Sequence, residues 1–182
     1  SESKAAVAGG ITSYMEMPNT NPQTITTRAL DDKFRVAATK SLSNFAFYIG
    51  ATNNNLDELL RVDPTKTCGI KVFMGASTGN MLVNNPDTLK HIFSEVKMLI
   101  AVHTEDEDII QKNLQLYRKQ YKNNIPVYLH PKIRSEEACY KSTAKAIELA
   151  TQYNTRLHIL HLSTARELEL LEDRPFSKNK LI

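Results

Sequence analysis

Three residues of this chain have the type and placement to do chemistry at neutral pH. Lys71 interrupts the apolar run of "CGIKVFMGASTGN" (residues 68–80), His103 closes "MLIAVH", and His161 closes "LHILH". A lysine inside an apolar strand has two readings. Its stem can lie on apolar surface while the amine reaches water at the rim, and for an isolated strand lysine that is the commoner case. If the amine is buried, its pKa falls, and the neutral form can act as a base, form a Schiff base or add carbon dioxide to become a carbamate. The last option turns a cation into an oxygen-donor anion able to bridge two metal ions.

The histidines stand in equivalent places. His103 is followed by "TEDE", in which Thr104 and Glu107 have capping-box spacing, so a helix is predicted to begin immediately after it. "TARE", Thr164 to Glu167, repeats the arrangement after His161. A strand-end histidine is more often a hydrogen-bonded structural residue, but the repetition in two successive strands points to a shared site. His158 forms an HxxH pair with His161, the spacing of metal ligands on a helix. On a strand, side chains alternate, so His161 shares a face with Leu157 and Ile159 while His158 points the other way. His158 is therefore not expected as a ligand, nor is His91 on a helix or His130 in a loop.

These positions depend on the elements that carry them. Residues 1–8 read as the end of a helix stopped by Gly9-Gly10. Strand patterns follow at "ITSYMEM", "NFAFYIGA", "GIKVFMG", "MLIAVH" and "RLHILHL", alternating with helices at "TRALDDKFRVAATK", "LDELLRV", "PDTLKHIFSEV", "EDIIQKNLQLYRKQY", "SEEACYKSTAKAIELATQYN" and "ARELELLE". Apolar strands separated by helices predict a parallel sheet covered by helices. A doubly wound sheet would announce a nucleotide site with a glycine-rich turn, but "GASTGN" lacks both the GxGxxG spacing and the GxxxxGK[ST] lysine. The alternative is a TIM-type (β/α)8 barrel, whose chemistry lies at the C-terminal ends of several strands, where Lys71, His103 and His161 fall. A complete barrel needs roughly 250 residues. The 182 residues open inside a helix and stop at "KNKLI", which reads as the start of another strand. Residues 1–182 are thus expected to be the central part of a single barrel domain, about five of its strands.

Composition narrows the class. With 41% hydrophobic and 24% charged residues the chain is ordinary globular protein rather than disordered. Neither a membrane span nor a signal peptide is indicated, so no membrane partner is expected. The two cysteines, Cys68 and Cys139, have no CxxC spacing, which argues against a disulfide framework or thiolate metal site and for a cytoplasmic setting. A net charge of +3 is small, and the basic stretch from Arg118 to Arg134 reads as a solvated helix face and loop rather than a nucleic-acid surface.

Together, "GGITSYMEMPNTNP", "GIKVFMGASTGN", "AVHTED", "HPKIRSEEACYKSTAKAIELA" and "LHILHLSTARELE" resemble the dihydroorotase family of the amidohydrolase superfamily, through essentially the whole chain. "MPNTNP" after the glycine pair is the most specific piece, because hydantoinases and dihydropyrimidinases share the lysine and histidines but usually differ there. The resemblance implies a (β/α)8 barrel with a zinc site at its mouth. Lys71 would be the carbamylated bridge between two zinc ions, with His103 and His161 as ligands of the second metal. Asn19 would help hold the substrate carboxylate, and Ser77 and Thr78 would fall near a loop that closes over substrate. Two such ions about 3.5–4 Å apart can generate hydroxide at neutral pH and polarise the carbonyl it attacks. The implied reaction is reversible opening of cyclic dihydroorotate to N-carbamoyl-aspartate. The family's first-strand HxH with its arginine, and its last-strand aspartate that serves as general base, would lie before Ser1 and beyond Ile182. The implied partner is a small-molecule substrate, with room for a homo-oligomer. The alternatives are a dihydropyrimidinase-, hydantoinase- or allantoinase-like cyclic amidohydrolase, or a non-catalytic barrel relative acting as an assembly scaffold.

Overall fold

The computed structural model describes residues 2–75, 77 and 79–171. The strands β1 (Ser13–Glu16), β2 (Asn44–Gly50), β3 (Gly69–Phe73), β4 (Ile100–His103) and β5 (Leu157–Ile159) make one five-stranded sheet in the order β1-β2-β3-β4-β5, every pairing parallel. The chain enters through α1 (Glu2–Ala8), and the strands are separated by α2 (Thr27–Lys40), α3 (Leu56–Arg61), α4 (Pro86–Glu95), and α5 (Glu107–Tyr121) with α6 (His130–Ile133) and α7 (Glu136–Tyr153). The last described helix is α8 (Ala165–Leu168). A doubly wound sheet reverses its strand order at a switch point and carries helices on both faces. Here the order never reverses, so the architecture is α/β with an open five-stranded stretch of (β/α)8 barrel wall.

The strand sequences explain which face is covered. Ile70, Val72, Ile100, Val102, Leu157 and Ile159 are alternate residues of their strands, and they pack in one cluster with Leu89, Ile92 and Phe93 of α4 and Ala146, Ile147 and Ala150 of α7. The intervening residues face the other way. Register aligns Lys71 with Ala101, Ala101 with His158, and Phe73 with His103, so these residues share the face that a closed barrel turns inward. The end of this sheet is crowded. A Cβ at Gly50, which pairs with Lys71, would lie 2.2 Å from Cε of Met81 and 3.1 Å from Pro18. Beyond β3, a Cβ at Gly75 would lie 2.1 Å from the backbone oxygen of Glu105.

Most helix starts follow from local capping. Thr26, Asn85, Asp106 and Ser135 each accept a first-turn N–H through the side chain, and Pro86 opens α4. The predicted capping box at Thr164 and Glu167 forms. The one expected at Thr104 and Glu107 does not. Asp106 caps α5 instead, accepting from Ile109 at 3.0 Å, while the Thr104 hydroxyl is hydrogen-bonded to the Thr143 hydroxyl at 2.8 Å. The connection between α5 and α7, read as a loop, contains a 3-10 turn at Val127–Leu129 and α6, so His130 begins a short helix. The strand start expected at "KNKLI" lies outside the described residues. Among the described residues no helix is long and apolar enough to cross a membrane.

Two variants test this framework. Burial alone would raise the pKa of Asp106, but Lys141 at 2.9 Å and the Ile109 N–H outweigh it and hold the carboxyl below its ordinary value. The folded state therefore binds this proton less tightly than the unfolded chain. Its stabilisation is present above the ordinary value of 3.8 and is lost as pH falls through the lowered one. Asp106→Ala is expected to cost about 1 kcal/mol at neutral pH, and urea denaturation should show the deficit closing in acid. Gly75→Ala is expected to cost about 1–3 kcal/mol, because backbone rather than a flexible side-chain tip must yield. Wild-type urea and thermal midpoints in this variant would contradict the close approach of the two strand ends.

Candidate metal centre

Lys71 is 2% exposed, and among the described residues its Nζ has no hydrogen-bond partner. The centroid of the Phe73 ring lies 4.4 Å from Nζ. Removal from water pushes the amine down from 10.5 to about 7, so a large fraction is neutral at physiological pH. The snorkelling account of an isolated strand lysine therefore fails. The residue occupies the middle of a central strand, and Met81, itself fully buried, lies over the adjoining Gly50.

His103 and His161 are brought together as the sequence suggested. Nδ1 of His103 lies 3.2 Å from Nε2 of His161, and the ring centroids are 4.9 Å apart. Phe73 neighbours this pair as well, 6.0 Å from the His103 centroid. The route by which His161 arrives differs from the expectation. Strand alternation put it on the face of Leu157 and Ile159, but those residues face the helices. The strand ends at Ile159, and His161 adopts φ 39°, a left-handed conformation unusual outside glycine. Alternation no longer governs it, and its ring meets His103 on the inward face. His158 is exposed and does point away from Leu157 and Ile159. Burial, the neighbouring His103 and the charge of Lys71 lower the pKa of His161, favouring the neutral ring that a metal requires.

Two further side chains, not singled out from sequence, complete the surroundings of His103. Oε2 of Glu105 lies 2.7 Å from His103 Nε2, and Arg134 Nε donates to Glu105 Oε1 at 2.7 Å while its Nη2 reaches Oε2. Burial raises the Glu105 pKa, but the hydrogen bonds from His103 and Arg134 and the Arg134 charge overcome it and hold it at about 2. Arg134 thus departs from the solvated basic face assigned to residues 118–134. The signal for Glu105 was present in "AVHTED", where histidine and glutamate are two residues apart. Nothing local marks Arg134, which is 29 residues further on. A second buried carboxylate secures the neighbouring loop: Glu167 accepts from Thr143 at 2.6 Å and from the Thr164 hydroxyl at 2.8 Å.

The expected substrate residues are less closely tied to this centre. Asn19 is exposed in the turn after β1. Ser77 is half-buried in the loop after β3, and Thr78 lies outside the described residues. The two loops approach one another, since a Cβ at Gly79 would lie 2.4 Å from Nε2 of Gln23.

These donors fit a metal. Two imidazoles converge through their nitrogens, and a buried amine without an acceptor shares their face of the sheet. Among the described residues no group of three or more His, Cys, Asp or Glu side chains forms a metal cage, so Lys71 is the available third donor. As a free amine near neutrality it is a poor ligand for a hard or borderline cation, whereas an oxygen donor at its tip would suit one.

No family model matches the chain. Over 178 residues it is 29% identical to a dihydroorotase of Methanosphaera stadtmanae, with 98% of this chain and 39% of that protein covered. A dihydroorotase of Methanosarcina acetivorans is 31% identical over 177 residues, covering 94% of the chain and 36% of that protein. The solved L-hydantoinase from Arthrobacter aurescens superposes with a TM-score of 0.85 at 30% identity, over 92% of this chain and 38% of that one. The chain therefore spans 36 to 39% of the length of these relatives. In both sequence and backbone, then, nearly the whole of this chain is similar to part of these dihydroorotases and of the L-hydantoinase.

Proposed function

We propose that residues 1–182 are the central part of a single (β/α)8 barrel of a zinc-dependent dihydroorotase, which reversibly hydrolyses the cyclic amide of dihydroorotate to N-carbamoyl-aspartate in cytoplasmic pyrimidine synthesis. The observation that carries this reading is the buried amine of Lys71, without a hydrogen-bond partner among the described residues, on the inward face that also holds the His103–His161 pair. The dihydroorotase likeness in sequence supports the choice of substrate, and the "MPNTNP" turn with Asn19 is the local feature that favours it over hydantoin.

Burial prepares Lys71 for modification. The neutral amine's lone pair adds to the carbon of carbon dioxide; the N–C bond forms as one C=O π pair moves onto oxygen, and one N–H proton passes to solvent, so the side chain passes from a potential cation to an anion with two oxygen donors. Such a carbamate with neutral imidazoles is a donor set suited to zinc. The metal ions, when bound, supply Lewis-acid activation of water and of the amide carbonyl. His103 and His161 hold their ring nitrogens toward the site, Asn19 helps seat the substrate carboxylate, and Ser77 and Thr78 are further substrate-binding candidates.

Turnover of dihydroorotate by the full-length protein tests the reading. A zinc-loaded enzyme that ignores dihydroorotate but opens hydantoin or dihydrouracil would replace it with the hydantoinase reading, which the L-hydantoinase backbone match favours. A well-folded preparation with no divalent ion would favour a scaffold. Lys71→Ala is expected to lower both metal content and kcat/KM by more than the roughly 100-fold that losing an outer-shell partner can cost. Intact-protein mass of the metal-loaded wild type should show one carbon dioxide on Lys71; a bare amine beside a filled site would contradict the carbamate.

A further inference from the structure

We propose that Glu105, clamped by Arg134, is a positioning residue for His103, holding Nε2 of the ring so that Nδ1 is the nitrogen turned toward His161 and available to a metal. The proposal rests on the metal-site reading above for its second half; its first half concerns the ring alone.

Glu105 is 6% exposed, and both its oxygens are engaged: Oε1 by Arg134 Nε at 2.7 Å, Oε2 by His103 Nε2 at 2.7 Å and by Arg134 Nη2. A carboxylate paired in this forked way with a guanidinium has only lone pairs to offer. His103 Nε2 must therefore donate. A neutral imidazole carries one N–H, so the lone pair falls on Nδ1. That atom is 3.2 Å from Nε2 of His161. The structure thus distinguishes the two nitrogens of His103 by the hydrogen bond one of them makes, which is how outer-shell carboxylates commonly orient a metal-binding histidine.

The clamp is itself held from two directions. The backbone of Glu105 is pressed against Gly75 at the end of the Lys71 strand, and Met74 N–H donates to His103 O at 3.0 Å. Arg134 follows α6, where its N–H bonds to His130 O at 2.9 Å. The folded excursion between α5 and α7 therefore has a role: it delivers one guanidinium to the carboxylate that sets the ring. A salt bridge that merely stabilised the fold would have no need to end on a ring nitrogen, and the difference is measurable.

The test uses the full-length protein labelled at histidine nitrogen, first metal-free and then titrated with zinc. Long-range proton–nitrogen correlation spectra should show His103 as the Nε2–H tautomer in the wild type. In Glu105→Gln that preference should be lost, with zinc affinity falling about 10- to 100-fold and kcat falling with metal occupancy. Arg134→Lys, which keeps the charge but not the fork, should give a smaller change in the same direction. Glu167→Gln serves as the control for lost stability: it disturbs another buried carboxylate and is expected to leave the His103 tautomer unchanged. Wild-type tautomer and zinc affinity in Glu105→Gln would overturn the proposal, as would a tautomer shift of equal size in Glu167→Gln. Should Glu105→Gln fail to fold, Arg134→Lys is judged by the same two measurements. An Nε2–H tautomer that depends on Glu105 in a protein that takes up no metal would uphold the positioning of the ring and overturn the metal-site reading.

Discussion

An amine taken out of water with no acceptor beside it is costly in either protonation state. The charged form loses its hydration, and the neutral form leaves donors and a lone pair unused, worth about 1–3 kcal/mol. Lys71 bears that cost in the middle of a central strand, between Ile70 and Val72, which face the helices. The surrounding structure maintains it. Parallel pairing on both sides fixes the backbone, Gly50 leaves room for Met81 and Pro18 to close over the sheet, and Phe73 supplies an apolar neighbour. Loosening any of these contacts would let water in and return the lysine to an ordinary ammonium. Under the proposed reading, the neutral amine kept at this cost is the form that takes up carbon dioxide.

The same economy of placement extends to the histidines. Each of the two strand ends that carry them is tied down by a buried glutamate, but in different ways. Glu105 acts on a ring, through His103 Nε2, and Glu167 acts on a backbone, by capping the turn at Thr164 that follows His161. Thr143 links the two regions, since its hydroxyl reaches both Thr104 and Glu167. Both glutamates line the same small cavity as the two histidines.

Much of this fold was legible in the sequence because its signals are local. The helix over Thr27–Lys40 and the helix over Glu107–Tyr121 follow apolar spacing with a polar cap, and the capping box at Thr164 is realised as written. The matching spacing at Thr104 was not realised, because Asp106 is a better cap two residues later and the Thr104 hydroxyl had a partner in α7. A motif of two side chains cannot show which of several nearby oxygens will win. The short helix at His130–Ile133 escaped for a related reason, as its four residues are too few to carry a period.

The sequence by itself determined the succession of strands and helices and the parallel sheet, and it singled out Lys71, His103 and His161 as candidates. These depend on periodicity within some fifteen residues and on residue type. Tertiary structure alone decided that the Lys71 amine has no partner among the described residues, that His161 turns out of its strand's alternation to meet His103, and that an arginine 29 residues from Glu105 completes the clamp on that ring. Burial, ring orientation and long-range ion pairing are set by which elements close over which. That information exists only once the sheet has been covered, because desolvation acts on the packed assembly and not on the chain.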